Sequence, residues 1–206
     1  FSSSPEEHLK HLEQVFQRLQ KAGLKLKPQK CVFGVDHIKY LGHTIDQTGV
    51  QPDDSKVKAI KEFPTPTSVT KLKSFLGLVN YYRKFVRGFA QVAKPLNELT
   101  KKSINFEWTR EAQESFLELK RRITTAPVLA HADCTLPYRL TTDASRTAVG
   151  WVLEQEQFGK SRVICFGGKT LNKTQASYGI SDLEALACMT AIKDLDCYLR
   201  YSKFTI

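Results

Sequence analysis

Two carboxylates, Asp143 and Glu184, lie at positions in the predicted secondary structure from which acidic side chains can bind a hard cation. Asp143 ends a predicted strand within Thr141–Ser145, where small residues flank it. Glu184 lies in the first turn of the helix predicted to follow, from which it could project toward the end of that strand. Mg²⁺ prefers a few carboxylates together with water and phosphate oxygens. The two residues are therefore a candidate metal site.

Each carboxylate also has a purely structural interpretation. Most aspartates at strand ends start turns. Ser181 and Glu184 have the spacing of a capping box, in which the glutamate binds the backbone amide of the N-cap serine. Asp182 is a favourable charge at a helix N-terminus. Spacing alone leaves both interpretations open.

The other residue types exclude several classes of site. The five cysteines lack a C-x-x-C pair, which argues against a disulfide framework and a structural zinc site. The five histidines lack the i, i+4 spacing of helical zinc ligands. Gly167 and Gly168 predict a turn, not a phosphate loop. The cysteine pattern favours a reducing intracellular compartment, in the cytoplasm or nucleus. We expect a soluble protein, because no apolar run reaches the roughly 20 residues that span a bilayer. Phe1–Pro5 do not resemble a signal peptide, and a first residue other than Met suggests a start inside a longer reading frame.

The basic residues concentrate in the first half of the chain. Residues 56–102 hold 11 Lys and Arg and only two acids, although the whole chain has a net charge of +10. Such a cluster favours a polyanionic partner, since lysines and arginines that neutralise phosphates release counterions. A solvated surface is the alternative.

A helix predicted from Ser68 to Arg87 carries part of this charge. Its packed stripe is Leu72, Leu76, Val79 and Val86, and its polar stripe is Lys73, Gly77, Asn80, Lys84 and Arg87. A glycine costs a helix about 1 kcal/mol relative to alanine. Gly77 therefore indicates either a backbone that approaches a ligand such as nucleic acid, or tight packing against another helix.

The remaining pattern predicts helices and two β regions. Helices are predicted from an N-cap at Ser4 to Gly23, over 54–63, and from an N-cap at Thr109 to Pro127, the last with an apolar face of Ala112, Phe116, Leu119 and Ile123. A further helix is predicted from an N-cap at Ser181 to about Leu199, with an inner face of Cys188, Ala191, Ile192, Leu195 and Leu199. A hairpin is predicted from strands at 31–35 and 38–45. Strands at 138–142, 149–153 and 162–166 predict an antiparallel meander, with a further strand from Lys203.

The whole chain resembles the Pol polyprotein of gypsy-class LTR retrotransposons, whose motifs occur here in order. Phe1–Phe33 looks like the segment after the Tyr-x-Asp-Asp polymerase motif. The primer-grip hairpin is matched by Tyr40, Leu41, Gly42 and His43. Phe75–Phe85 matches the thumb helix, and Ala93–Leu96 closes that block. Thr142–Ser145 and Leu171–Glu184 look like the ribonuclease H first strand and the approach to its second acid.

This resemblance implies a fold and a function. The fold is α/β (α+β): a palm C-terminal part with the hairpin at 1–52, a helical thumb at 53–105, and a truncated RNase H-like mixed sheet with helix at 106–206. The thumb stripe would follow the minor groove of a primer–template duplex. Asp143 and Glu184 would be catalytic ligands of Mg²⁺ (or Mn²⁺), at a two-metal site that cuts RNA in an RNA–DNA hybrid. The rest of a Pol polyprotein is a further expected partner.

The departures from the family limit these expectations. The polymerase aspartates would precede Phe1 and the third RNase H aspartate would follow Ile206, so we expect the isolated chain to be inactive as an enzyme. Lys169 stands where the family has arginine, and Leu183 and Ala185 differ from the usual neighbours of the glutamate. The alternatives to a polymerase and nuclease segment are a non-catalytic nucleic-acid-binding remnant or domesticated protein, and a structural partner subunit.

Overall fold

The computed structural model describes residue 2 and residues 4–206, and its chain forms two compact units, residues 1–36 and 37–206. Phe1 and Ser3, within the segment of resemblance, lie outside the described residues. The first unit contains helix α1 (Pro5–Lys21) and a 3₁₀ turn at Pro28–Lys30. The predicted N-cap is confirmed, because the Ser4 hydroxyl accepts from the Glu7 amide at 3.2 Å.

The second unit begins with a small antiparallel sheet of β1 (His37–Tyr40), β2 (His43–Asp46) and β3 (Gly49–Pro52). The predicted hairpin is wrong in its bounds. Residues 31–35 of the described chain are not a strand, and the stretch 38–45 divides in two. Leu41 and Gly42 have φ of 46° and 75°, the left-handed pair that a two-residue hairpin turn requires.

Three helices follow, α2 (Asp54–Lys61), α3 (Val69–Tyr81) and α4 (Phe89–Glu98), with a 3₁₀ turn at Arg83–Phe85 between the last two. The predicted continuation of α3 to Arg87 is wrong. The chain leaves the helix at Tyr82, which has φ of −99° and ψ of 14°. The Tyr82 ring is buried in the core and its hydroxyl donates to the Gly42 carbonyl, so the helix ends where its last residues contact the distant hairpin. Pro64 and Pro66 separate α2 from α3, as the sequence predicts.

Helix α5 (Arg110–Thr124) completes the core of this helical region. Its predicted N-cap is confirmed, with the Thr109 hydroxyl 3.2 Å from the Ala112 amide. The predicted apolar face is buried, and the Phe75 and Phe116 rings lie 4.5 Å apart between centroids. α5 packs against both α2 and α4.

The C-terminal half contains a four-stranded mixed sheet in the order β6-β5-β4-β7. Its strands are β4 (Tyr138–Ala144), β5 (Ala148–Gln157), β6 (Lys160–Thr170) and β7 (Phe204–Thr205), and β7 runs parallel to β4. The predicted meander is confirmed with longer strands. The mixed α+β class is also confirmed.

Gly167 and Gly168 do not form the predicted turn; they lie inside β6, opposite Trp151 and Gly150. A Cβ at Gly167 would lie 2.1 Å from the Trp151 Nε1 atom. The indole therefore covers a position that only glycine fits. This requirement comes from the neighbouring strand, so the local sequence did not indicate it.

Helix α6 (Ile180–Asp194) packs against β4 and β5, and a short helix α7 (Asp196–Leu199) follows. Two predictions for this region are wrong. The N-cap is Gly179, not Ser181, and the helix breaks at Leu195. The predicted inner face is confirmed at Ala191, Leu195 and Leu199, which are buried, and is wrong at Cys188, which is half-buried, and at Ile192, which is exposed. In the described chain, none of the helices is both long and apolar enough to cross a membrane.

Candidate nucleic-acid interface and acidic site

The turn at Leu41–Gly42 is fixed by two tyrosines from the end of α3. The Tyr82 hydroxyl donates to the Gly42 carbonyl at 2.8 Å, and the Tyr81 hydroxyl donates to the Leu41 carbonyl. The Asp53 amide also donates to the Gly42 carbonyl at 3.0 Å. Burial raises the pKa of Tyr82 to about 12, so its hydroxyl stays protonated and donates throughout the neutral range.

Gly42 is required at this turn for two reasons. Its φ of +75° disfavours a side chain, and a Cβ there would lie 3.0 Å from the Tyr82 hydroxyl. The neighbouring Tyr40 and Leu41 are by contrast 58% and 69% exposed. The turn is therefore rigid at its backbone and presents an aromatic and an aliphatic side chain to solvent.

His43 packs beneath this turn among aromatic rings. Its ring stacks on Phe85 with 5.6 Å between centroids, and its Nδ1 lies 3.1 Å from the Leu41 carbonyl. Because a carbonyl only accepts, Nδ1 carries the proton and donates. Nε2 is buried and, among the described residues, has no hydrogen-bond partner. Burial and, secondarily, the charge of Lys84 lower the pKa of His43, which keeps the ring neutral.

Strand β1 is attached to α2 through Asp53. This buried carboxylate is the N-cap of α2, accepts from the amide and hydroxyl of Ser55, and forms an ion pair with Lys39 at 2.9 Å. The Ser55 hydrogen bond, followed by Lys39, lowers the pKa of Asp53 to about 2. The sequence analysis did not identify Asp53, although an aspartate followed by a helix with serine at its second position is a recognisable cap signal.

The predicted polar stripe is only partly present. Lys73, Gly77 and Asn80 are exposed on one side of α3. A Cβ at Gly77 would have no neighbour within 4 Å, so the tight-packing interpretation of this glycine is contradicted. An open glycine flanked by Lys73 and Asn80 leaves the backbone accessible to a ligand.

Lys84 and Arg87 do not extend this stripe, because α3 ends at Tyr81. The Lys84 ammonium lies 5.2 Å from the centroid of the Phe85 ring, and burial lowers its pKa. Arg87 lies just before α4, where its carbonyl accepts from the Arg122 guanidinium. Arg87 and Asp143 both line one cavity of about 320 Å³.

Asp143 and Glu184 lie at the same end of the four-stranded mixed sheet. Helix α6 runs antiparallel to β4, since Tyr198 contacts Tyr138 at a 6.2 Å ring separation and the Cys188 sulfur lies 3.3 Å from the Thr142 hydroxyl. Glu184 is one helical turn before Cys188, and therefore lies toward the end of β4 that contains Asp143.

The two carboxylates start from opposite faces of the sheet at that end, Glu184 from the face covered by α6 and Asp143 from the other. Thr142 faces α6, so strand alternation directs Asp143 toward the opposite face and the cavity lined by Arg87. Both acids are exposed. The capping-box interpretation of Glu184 is contradicted, because helix α6 begins one residue before Ser181. Within the described residues no cluster of three or more potential metal ligands occurs.

Two protein-family models match the chain. Residues 1–45 match "Reverse transcriptase (RNA-dependent DNA polymerase)", and residues 108–206 match "RNase H-like domain found in reverse transcriptase". Among similar curated proteins are retrovirus-related Pol polyproteins from the Drosophila melanogaster transposons opus and 297, 37% and 38% identical over 97% and 100% of this chain. The Transposon Tf2-3 polyprotein of Schizosaccharomyces pombe is 34% identical over 96%. The chain spans 21%, 19% and 15% of these proteins.

The fold is also similar to solved structures. The foamy viral protease-reverse transcriptase in complex with dsDNA superposes on 97% of this chain, and 42% of that protein, with a TM-score of 0.81 and 28% identity. The dRH form of that protein, in complex with dsDNA, gives a TM-score of 0.87 at 24% identity over 99% of this chain and 36% of its own. Residues 1–45 are thus similar to reverse transcriptase, residues 108–206 to the RNase H-like domain found in reverse transcriptase, and the chain as a whole to parts of transposon Pol polyproteins.

Proposed function

We propose that this chain is the thumb-proximal part of a gypsy-class retroelement reverse transcriptase, and that it binds a primer–template duplex or an RNA–DNA hybrid. The observation that carries this proposal is the arrangement of the hairpin turn and α3. Tyr81 and Tyr82 hold the turn against the end of the helix whose exposed side carries Lys73, Gly77 and Asn80. The ligand of the similar foamy viral protein is dsDNA, which supports a duplex ligand here.

Each part of this surface has a distinct role in the proposal. Lys73 contributes a phosphate contact, and Gly77 lets the helix backbone come close to a groove. Tyr40 and Leu41 offer exposed apolar surface beside the turn, with Gly42 and His43 maintaining its shape. Lys84 and Arg87 contribute to the positive field only, since they lie outside the Lys73 face.

A salt titration tests the phosphate contact. Fluorescence anisotropy with a labelled hybrid, between about 50 and 200 mM salt, gives the slope of affinity against salt. Lys73→Ala should lower that slope by about one. Lys71→Ala removes the same charge from the same helix, roughly 160° around its axis, and should leave the slope closer to that of the wild type. Equal slopes for both variants would refute the assignment of Lys73.

We further propose that Asp143 and Glu184 bind Mg²⁺ (or Mn²⁺) in the RNase H-like half. Both are exposed carboxylates at one end of the sheet, and Mg²⁺ uses one or two carboxylates with water and phosphate oxygens. The metal would activate water and stabilise the leaving oxygen at an RNA phosphate. The chain's own part is to hold the carboxylates in place through β4 and α6.

Paramagnetic Mn²⁺ provides a direct test of this site. In NMR spectra of the 206-residue chain, substoichiometric Mn²⁺ should broaden the amide signals of residues 142–145 and 183–186. Asp143→Asn should abolish this broadening. Asp182→Asn removes an equally exposed acid from the same helix and should leave it intact.

A non-catalytic duplex-binding role is the second candidate. The direction of Asp143, away from the α6 face, favours it. Salt-dependent duplex binding together with no site-specific Mn²⁺ broadening would support this candidate. Partnership with the rest of a Pol polyprotein belongs to both proposals, since the chain spans only 15% to 21% of relatives such as those from opus, 297 and Tf2-3.

A further inference from the structure

The small sheet that carries the hairpin turn is joined to the RNase H-like sheet by main-chain hydrogen bonds. Val50 of β3 and Leu129 exchange two of them, at 2.7 and 2.9 Å, and form an antiparallel bridge. The next amide, Ala130, donates to the Val163 carbonyl of β6 at 2.8 Å. A short segment therefore connects two sheets that otherwise have separate strand orders.

Two side chains from the RNase H-like half strengthen this connection. His131 Nε2 donates to the Asp46 carbonyl at 2.7 Å, and Arg162 Nη2 donates to the Thr48 carbonyl at 2.6 Å. Both carbonyls belong to the turn between β2 and β3. Each donor is at least 85 residues from its acceptor in sequence, so neither contact follows from local structure.

His131 is itself held in place by buried amides. The Gln157 side chain donates to the His131 carbonyl at 2.7 Å and to the Gln155 side-chain oxygen at 3.1 Å. Gln155 in turn accepts from the Asp133 amide at 2.9 Å. Both glutamines are buried. Buried amides are costly unless their hydrogen bonds are satisfied, so this network fixes the loop that presents His131.

Gly49 lets the two sheets approach. A Cβ there would lie 2.0 Å from the Leu129 carbonyl oxygen, and φ at Gly49 is +147°. The Asp46 carboxylate accepts from the Thr48 amide at 2.7 Å and fixes the turn just before this glycine. The contact therefore depends on a glycine and on a preset turn.

We infer that His131 and Arg162 are positioning residues for the duplex-binding hairpin. Strand β2 is held at its His43 end by the thumb tyrosines and at its Asp46 end by these two donors. With both ends held, the Leu41–Gly42 turn keeps a fixed place relative to the RNase H-like sheet. A duplex bound at the turn is thereby aligned with that sheet. This inference rests on the proposed duplex binding.

Hydrogen exchange and duplex affinity test the inference together. His131→Leu removes the donor and should speed exchange of the β2 amides about fivefold to tenfold, as expected for one lost hydrogen bond. Amides of α5 and β4 should exchange at the wild-type rate. Duplex affinity by anisotropy should fall about threefold to tenfold, because the turn loses its fixed position.

A conservative variant separates positioning from general stability. His131→Gln keeps an N–H donor at similar reach and should restore both exchange and affinity. Thr135→Ala alters the same loop by removing a side-chain hydrogen bond to the Asp133 carboxylate, and should change neither quantity. If His131→Leu does not fold, Arg162→Met provides an independent test, because it removes the hydrogen bond to the Thr48 carbonyl of the same turn.

The outcomes distinguish this inference from the proposed function. Faster β2 exchange with unchanged affinity would overturn the positioning role, as would unchanged β2 exchange in both His131→Leu and Arg162→Met. A wild-type chain that binds no duplex would refute the proposed function instead. In that case, faster exchange of the β2 amides in His131→Leu, restored to the wild-type rate in His131→Gln, would still show that His131 connects the two sheets.

Discussion

Replacing Gly77 with alanine separates the stability of α3 from its proposed contact with nucleic acid. Gly77 lies inside the helix Val69–Tyr81 and is exposed, and a new Cβ would meet no atom within 4 Å. Alanine is favoured over glycine in helix interiors by about 0.8–1.0 kcal/mol. With no clash to offset this gain, Gly77→Ala should raise the free energy of unfolding by about 1 kcal/mol.

The same substitution should weaken duplex binding. If the duplex backbone lies against Gly77, the added methyl group occupies the contact, and overpacking of this kind costs about 1–3 kcal/mol. Since 1.4 kcal/mol is a factor of ten, the dissociation constant should rise about fivefold to a hundredfold. Urea unfolding followed by circular dichroism measures the first effect, and fluorescence anisotropy with a labelled hybrid measures the second.

Ser74 offers a matched control. It lies three residues earlier on the same helix, is also exposed, and already has a Cβ. Ser74→Ala therefore improves helix propensity by a few tenths of a kcal/mol without adding an atom at the surface. A Gly77→Ala variant that is more stable but binds the duplex as tightly as Ser74→Ala would refute the proposed groove contact.

Three further predictions concern the core and the turn. Gly167→Ala should lower the free energy of unfolding by about 1–3 kcal/mol, because its Cβ would collide with the Trp151 indole; Gly150→Ala, whose nearest atom is 3.8 Å away, should cost less in the same urea series. Folding lowers the pKa of His43 from its ordinary value of 6.5. Between these two pKa values the unfolded chain binds more protons than the folded chain, so the free energy of unfolding should fall as the pH falls from 6.5 toward the lowered pKa. The free energy of unfolding of His43→Asn should depend less on pH across that window, and an unchanged pH dependence would contradict the assignment. Tyr82→Phe should cost about 0.5–1.5 kcal/mol and weaken duplex affinity without changing its salt slope, as measured by unfolding and anisotropy.

Local signals in the sequence determined many of the elements correctly. Ser4 and Thr109 cap their helices because a hydroxyl followed by a helical run satisfies free amides within the same turn. The apolar period of α5 marked its buried face. The strand alternation of the C-terminal half indicated the meander. In each case, the residues that decide the structure lie within a few positions of one another.

In the candidate site, too, the sequence identified some residues, whereas other features depended on contacts between distant segments. The residues Asp143, Glu184 and Lys73 could be selected from residue type and spacing. The end of α3 could not, because it coincides with the contact between Tyr82 and Gly42, which are 40 residues apart in the chain. The sequence likewise left both interpretations of Gly77 open, and the empty space within 4 Å of a Cβ at that position decided between them in the described structure.

Contacts between distant segments were beyond the reach of the sequence. Tyr82 meets Gly42 across 40 residues, and His131 meets Asp46 across 85. No local pattern encodes such a pairing, since it exists only when separate elements pack side by side. The sequence by itself determined most of the helices, the C-terminal meander and where charge accumulates, but it predicted neither β3 nor α4. Only the tertiary structure decided which glycines are enclosed, which lysines face outward, and how the hairpin is attached to both neighbouring regions.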